Sequence, residues 1–237
     1  MFRKLTAFIV GVTLAVNATG FAQDAGQILN IRISANGKVK DESKEQRKLD
    51  IKNVDVASDH KSTVLGAIDA ISVPYSVDDP IYKNGPQTWI LRIKIPDTLA
   101  APSFSLAGRW NSGENRRSLG LLLQGGEGRL QFLISFDGRA ETTLGVATKE
   151  ALPAGEWLTA VAKYQPGTQM ELLLFDEAGE QIDSRKMGAD VPASFFEDEM
   201  PILIGAPKDV AMEFSNLQIW SRILSDAQLK REVRDLR

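Results

Sequence analysis

The chain has no cysteine and a single histidine, His60, in 237 residues. The first absence removes disulfides, thiolate zinc sites, iron–sulfur ligation and cysteine nucleophiles. The second leaves a catalytic triad or a poly-histidine metal site without its usual members. Tyrosine is scarce as well, limited to Tyr75, Tyr82 and Tyr164. Positive charge is not in excess either: 28 Lys and Arg stand against 31 Asp and Glu, a formal balance of −3, so the basic footprint of a nucleic-acid binder is missing. What is present, 43% hydrophobic and 25% charged residues, is the composition of an ordinary globular chain of one or at most two domains.

The first residues read as a separate object. Met1-Phe2-Arg3-Lys4 is a basic start, Leu5 to Val16 is an apolar run, and Gly20-Phe21-Ala22 ends in a small residue. This pattern predicts a secretory signal peptide over residues 1–22, cut after Ala22. The apolar run falls short of the roughly 20 residues that span a bilayer, so no membrane span is expected after cleavage. Cleavage removes Arg3 and Lys4 and no acid, taking the formal balance from −3 to −5. An exported chain without disulfides must be stabilised by core size alone, which suits a bacterial periplasmic or extracellular protein whose residues 23–237 form one domain.

Along that domain the dominant period is two. Trp89, Leu91, Ile93 and Ile95 share one face of a run whose other face carries Arg92 and Lys94, and Pro96 ends it. Leu130, Phe132, Ile134 and Phe136 alternate with Gln131, Ser135 and Asp137, between turns at Gly126-Glu127-Gly128 and Asp137-Gly138. More than ten such short segments, with turn residues between them, predict an all-β fold: an antiparallel two-sheet jelly-roll sandwich. Leu119–Leu123 and Leu172-Leu173-Leu174-Phe175 are apolar on both faces, which asks for a central position or a covering loop. One helix is expected, at the C-terminus. Ser225-Asp226-Ala227-Gln228 forms a capping box, Leu224 can staple to Leu229, and Leu229, Val233 and Leu236 make one apolar stripe that would seal a sheet edge or rim. The charge-dense, mixed-sign stretch Asn36–Asn53 reads as a solvated loop.

Two stretches, Leu152–Tyr164 with its Gly155-Glu156-Trp157, and Pro201–Gly205 followed by Phe214–Ser225 with its Arg222-Ile223-Leu224-Ser225, resemble the laminin G-like (LamG), concanavalin A-like lectin/glucanase jelly-roll family in order and spacing. Ile31–Ser34, Gly66–Asp69, Ile71–Pro74 and Trp89–Pro96 resemble its opening strands, so the likeness covers nearly all of residues 27–237. It implies the sandwich fold and a role in binding carbohydrate. The chain departs from the family at Thr159, where histidine is common, at Lys94, where an aromatic is common, and at Phe214-Ser215-Asn216, where relatives carry an acidic pair that can bear on calcium.

The fold class also holds glycoside hydrolases and polysaccharide lyases. A retaining hydrolase needs two carboxylates about 5–5.5 Å apart, and no strand here carries acids at alternate positions. Asp176-Glu177-Ala178-Gly179-Glu180 sits at a turn and Glu197-Asp198-Glu199 in a loop, where solvation explains them. A lyase base would have to be His60, in a loop between Asp59 and Lys61, or one of the three tyrosines. No catalytic residue is assigned. No cofactor or metal site is assigned either, with calcium at Asp137, Asp176, Glu177 or Asp183 the one ion left open.

Of four tryptophans, Trp89, Trp157 and Trp220 fall on structural strand positions. Trp110 lies instead in Gly108–Arg117, a polar hairpin rich in amides and guanidiniums. That is the composition a sugar or anionic-glycan site would use, with Arg109, Trp110, Asn111, Asn115 and Arg116 as the ligand-binding candidates. The alternative is that Trp110 caps the end of the sandwich. Phe195-Phe196 is a second aromatic patch with the same two readings. The expected partner is a glycan, and in the second reading an envelope or extracellular protein bound by an adhesion module.

Overall fold

The computed structural model describes residues 26–34, 36–57, 62–97 and 102–236. The signal-peptide segment 1–22 and His60 lie outside them. Among the described residues, sixteen strands numbered in chain order build two antiparallel sheets. One sheet follows the path β14 (Gln181–Met187), β13 (Gln169–Phe175), β12 (Trp157–Gln165), β7 (Gln87–Lys94), β16 (Met212–Trp220), β1 (Gln27–Ile33) and β2 (Val39–Asp41). To β16 it adds β5 (Thr63–Leu65), which carries β4 (Val54–Val56). The other runs β11 (Thr143–Ala147), β10 (Leu130–Ser135), β9 (Arg116–Leu123), β8 (Phe104–Asn111), β15 (Ile202–Ile204), β6 (Ile71–Val73) and β3 (Asp50–Ile51). The fold is an antiparallel β-sandwich, as the period-two pattern predicts.

Alternation decides which side chains meet between the sheets. Trp89, Leu91 and Ile93 of β7 and Leu130, Phe132 and Ile134 of β10 all enter one buried core. Phe136, which the same alternation would turn inward, is half exposed. The reason is that β10 ends at Ser135 and the chain turns through Gly138 at a positive φ of 88°.

The helix α1 (Asp226–Asp235) has the predicted capping box, with the Ser225 hydroxyl accepting from the Gln228 N–H and the Gln228 side chain reaching back to the Ser225 N–H. Its location corrects the expectation of an edge seal. Leu229 and Val233 pack with Leu224 onto Ile90, Val161, Leu173, Phe175 and Trp220, side chains that β7, β12, β13 and β16 turn away from the main core. The helix thus covers a sheet face, and the double-sided apolar run Leu172–Phe175 is buried between core and helix.

The stretch Asn36–Asn53 also departs from expectation, because it supplies β2 and β3 and a buried ion cluster. Arg47 pairs with Asp79 through Nε at 2.5 Å and Nη2 at 2.7 Å, and with Asp41 through Nη1 at 3.2 Å. The Asp41 side chain is fully buried and that of Arg47 nearly so.

Gly205, just after β15, is required for space. A Cβ there would sit 2.2 Å from the Ala67 carbonyl oxygen and 2.3 Å from that of Ile68. The approach is held by the Gly205 N–H on the Leu106 carbonyl and the Ala206 N–H on the Ala67 carbonyl. Gly205→Ala is expected to cost at least about 1–3 kcal/mol, the usual range for overpacking. Urea unfolding measures it, and an unchanged midpoint would contradict the close approach.

Candidate functional site

The outward face of the seven-stranded sheet carries an open groove of about 560 Å³. Its apolar wall comes from Leu122 of β9, Leu203 of β15, Phe104 of β8, Ile68, Met200 and Pro201. Trp110, Asn111, Ser112, Ser103, Ser105 and Arg116 complete the lining. Leu122 and Leu203 face outward because their neighbours Leu121, Leu123, Ile202 and Ile204 face the core. Between Ser105 and Trp110 the outward positions are glycines: Gly108 pairs with Gly120, and a Cβ on Gly108 would meet the Gly120 Cα at 2.6 Å. The two strands therefore approach closely with no side chain between them.

Of the five residues singled out from sequence, three line this groove and two, Arg109 and Asn115, do not. Trp110 is partly exposed and lines the groove with Asn111 and Arg116. Asn111 also caps a short 3-10 turn over Ser112–Glu114, its Oδ1 accepting from the Gly113 N–H at 3.1 Å. Asn115 is exposed, in the left-handed region at φ 52°, and its Oδ1 accepts from Arg117 at 2.9 Å. Arg109 lies inside the sandwich, only 3% exposed. Register shifts in the β8–β9 pairing leave Leu106 as an extra residue on β8 and then set Arg109 opposite two residues of β9, Ser118 and Leu119. After the second shift, simple alternation no longer assigns faces.

The guanidiniums of this hairpin are already engaged. Arg109 sits 4.8 Å from the Phe195 ring centre and 5.4 Å from that of Tyr82, and donates through Nη1 to the Asp198 carbonyl at 3.4 Å. Burial pushes its pKa down to about 10, partly countered by Tyr82 and Asp198. Arg116 grips the Asp198 carboxylate edge-on, Nε to Oδ2 and Nη2 to Oδ1, both 2.6 Å. Those bonds hold Asp198 below the ordinary carboxylate range and raise Arg116. Arg117 donates to Asn115, to the Ser112 carbonyl at 2.8 Å and to the Gly138 carbonyl.

Asp198 is the residue the sequence missed. Read as loop solvation, it clamps the connection before β15 onto the hairpin that carries Trp110. Glu197 next to it accepts from the Asn84 side chain at 2.6 Å. The aromatic pair divides: Phe195 is buried in the core and Phe196 is half-buried. The groove's apolar wall did leave a signal, since Leu119–Leu123 was apolar on both faces with no covering helix in sequence.

Trp89 and Trp220 are buried, whereas Trp157 is partly exposed, with the Arg92 guanidinium 5.2 Å above its ring. The positions departing from the laminin G-like pattern have structural partners: Thr159 accepts from Arg92, Lys94 pairs with Glu213 at 3.3 Å, and Asn216 donates to the Ile31 carbonyl at 2.8 Å. Among the described residues no three Asp, Glu or His side chains converge as a metal site. Asp137 is tied to Thr142 and the Arg139 N–H, and Asp183 to the Lys149 N–H. Among the described residues, too, no helix is long and apolar enough to cross a membrane.

No protein-family model and no curated protein matches the chain. Solved structures do match. The receptor binding domain of botulinum neurotoxin mosaic serotype C/D superposes with a TM-score of 0.69 at 14% identity, over 89% of this chain and 51% of that one. The binding domain of Paraclostridial Mosquitocidal Protein 1 gives 0.69 at 13%, over 89% and 52%. The botulinum neurotoxin serotype D ligand binding domain, solved in complex with N-acetylneuraminic acid, gives 0.67 at 11%, over 89% and 51%. The chain spans about half the length of these structures, and at such identities the likeness establishes the fold: a β-sandwich of the kind found in toxin binding domains.

Proposed function

We propose that the chain is an exported, non-catalytic carbohydrate-binding module, a laminin G-like sandwich that takes its ligand in the groove beside Trp110. The observation that carries this reading is the partly exposed indole in a groove of about 560 Å³ lined by apolar side chains together with hydroxyl and amide groups. An indole face stacks on the C–H face of a pyranose, and Ser103, Asn111 and Ser112 offer short polar groups for its hydroxyls. The similar toxin domains are receptor- and ligand-binding domains, one of them solved with N-acetylneuraminic acid, and this supports the same class. The pattern of residues 1–22 supports export. Without paired carboxylates on a strand, the reading is of a binder rather than a hydrolase.

Calorimetric titration with an oligosaccharide panel tests the proposal. Trp110→Ala is expected to weaken the best ligand by at least about tenfold, as loss of an aromatic anchor does, while the unfolding midpoint stays near wild type because the ring is partly exposed. A Trp110→Ala protein that binds as tightly as wild type would remove the groove from consideration. Capture of an envelope protein that no sugar competes away would favour the adhesion reading.

A further inference from the structure

The hairpin sequence, with Arg109, Arg116 and Arg117 around Trp110, suggests an anion site. The structure points the other way. Resting on the saccharide reading of the groove, we propose that its ligand is a neutral sugar and that the site discriminates against sialylated or uronate-bearing chains.

Recognition of a sugar carboxylate needs a cation with donors to spare, most effectively a guanidinium presenting two parallel N–H groups. Among the described residues Arg116 is the one cation lining the groove, and its Nε and Nη2 edge is taken by Asp198 at 2.6 Å on each side. The remaining Nη1 lies 3.6 Å from the Glu114 carboxylate. Arg109 is 3% exposed and packed between two aromatic rings. Arg117 is spent on Asn115 and two backbone carbonyls. The guanidiniums are therefore already matched by Asp198, Glu114 and neighbouring carbonyls, and none presents a free pair of parallel N–H groups to a further anion.

A ligand carboxylate could win Arg116 only by displacing Asp198. The Asp198 side chain is only 11% exposed, and its main chain is held by Arg109, so its charge would be left unpaired inside the protein. Because Arg116 lowers the Asp198 pKa, the clamp stays ionised at neutral pH. Asp198 is thus a specificity-determining residue that acts on ligands through Arg116.

The test uses matched pairs: lactose against 3′-sialyllactose, and cellotetraose against cellouronate, titrated into the intact protein. The acidic member is expected to bind at least about fivefold more weakly than its neutral parent, the effect of one uncompensated charge at a partly exposed site. Asp198→Asn keeps the shape of the side chain and frees the guanidinium edge of Arg116. It should narrow or reverse that gap. Circular dichroism and thermal unfolding check that the variant is folded, and wild type alone already decides the sign. Acidic chains that bind wild type as tightly as their neutral parents, or tighter, overturn neutral selectivity and leave the saccharide reading standing. A panel in which neither member of any pair binds takes down the saccharide reading itself.

Discussion

Replacing Arg47 with methionine is expected to lower the unfolding free energy by about 3–5 kcal/mol, the cost of leaving buried charges without their partner. Arg47 holds two carboxylates at once, Asp79 bidentately and Asp41 through Nη1, and it also donates to the Ile28 carbonyl. It therefore ties the chain before β3 to β1, to the end of β2 and to the turn before Ile81. Methionine fills a similar volume, so what the variant loses is charge and hydrogen bonds rather than packing.

The pH dependence separates this from a cavity effect. Burial alone would raise the Asp41 pKa. The Ser43 N–H and hydroxyl, the Arg47 N–H and the Asn30 N–H overcome it and hold the group below its ordinary 3.8. A depressed folded-state pKa contributes stability that is present above the unfolded value and lost as pH falls through the folded one. Wild type should accordingly lose stability below about pH 4. The variant keeps those donors but loses the Arg47 charge that attracts Asp79 and Asp41, so it should lose less and the gap between the two proteins narrows in acid. Urea midpoints at pH 7 and pH 3 measure both effects, and a deficit that is small, or constant with pH, would show that the cluster contributes little.

The sandwich is legible in the sequence because a half-buried strand writes its burial as a period of two, and β7 and β10 keep that period almost unbroken. The site was legible only in part, for reasons that particular residues make plain. Trp110 was found because an indole in a polar hairpin is conspicuous. Arg109, its neighbour, turns inward because the extra residue Leu106 on β8 breaks the alternation that would have placed it. The partners that neutralise the arginines lie far along the chain: Asp198 is 82 residues from Arg116, and Asp79 is 32 from Arg47. Composition sees such charges as solvated, and only the fold brings them together. The glycine pair Gly108 and Gly120 is equally silent in sequence, since its meaning depends on the register that sets the two opposite each other.

A chain ending after Ser225, without α1, is expected to lose on the order of 5 kcal/mol and to self-associate. Leu229 and Val233 each contribute about 1.5–3 kcal/mol when fully buried, and the sheet side chains beneath them lose their cover as well. Those side chains are the reason the effect exceeds that of removing an ordinary surface helix. Ile90, Val161, Leu173, Phe175 and Trp220 stand on four adjacent strands and form one continuous apolar patch once exposed. The opposite sheet bears an open groove by Trp110, lined by apolar side chains together with hydroxyls and amides. The two faces thus differ in kind: one is buried by the chain's own terminus, and the other is left open with polar groups along it, as a ligand site requires. Sedimentation and binding of an apolar dye distinguish the outcomes for the shortened chain. A monomer that unfolds at the wild-type urea concentration and binds no dye would mean that the helix merely rests on the sheet.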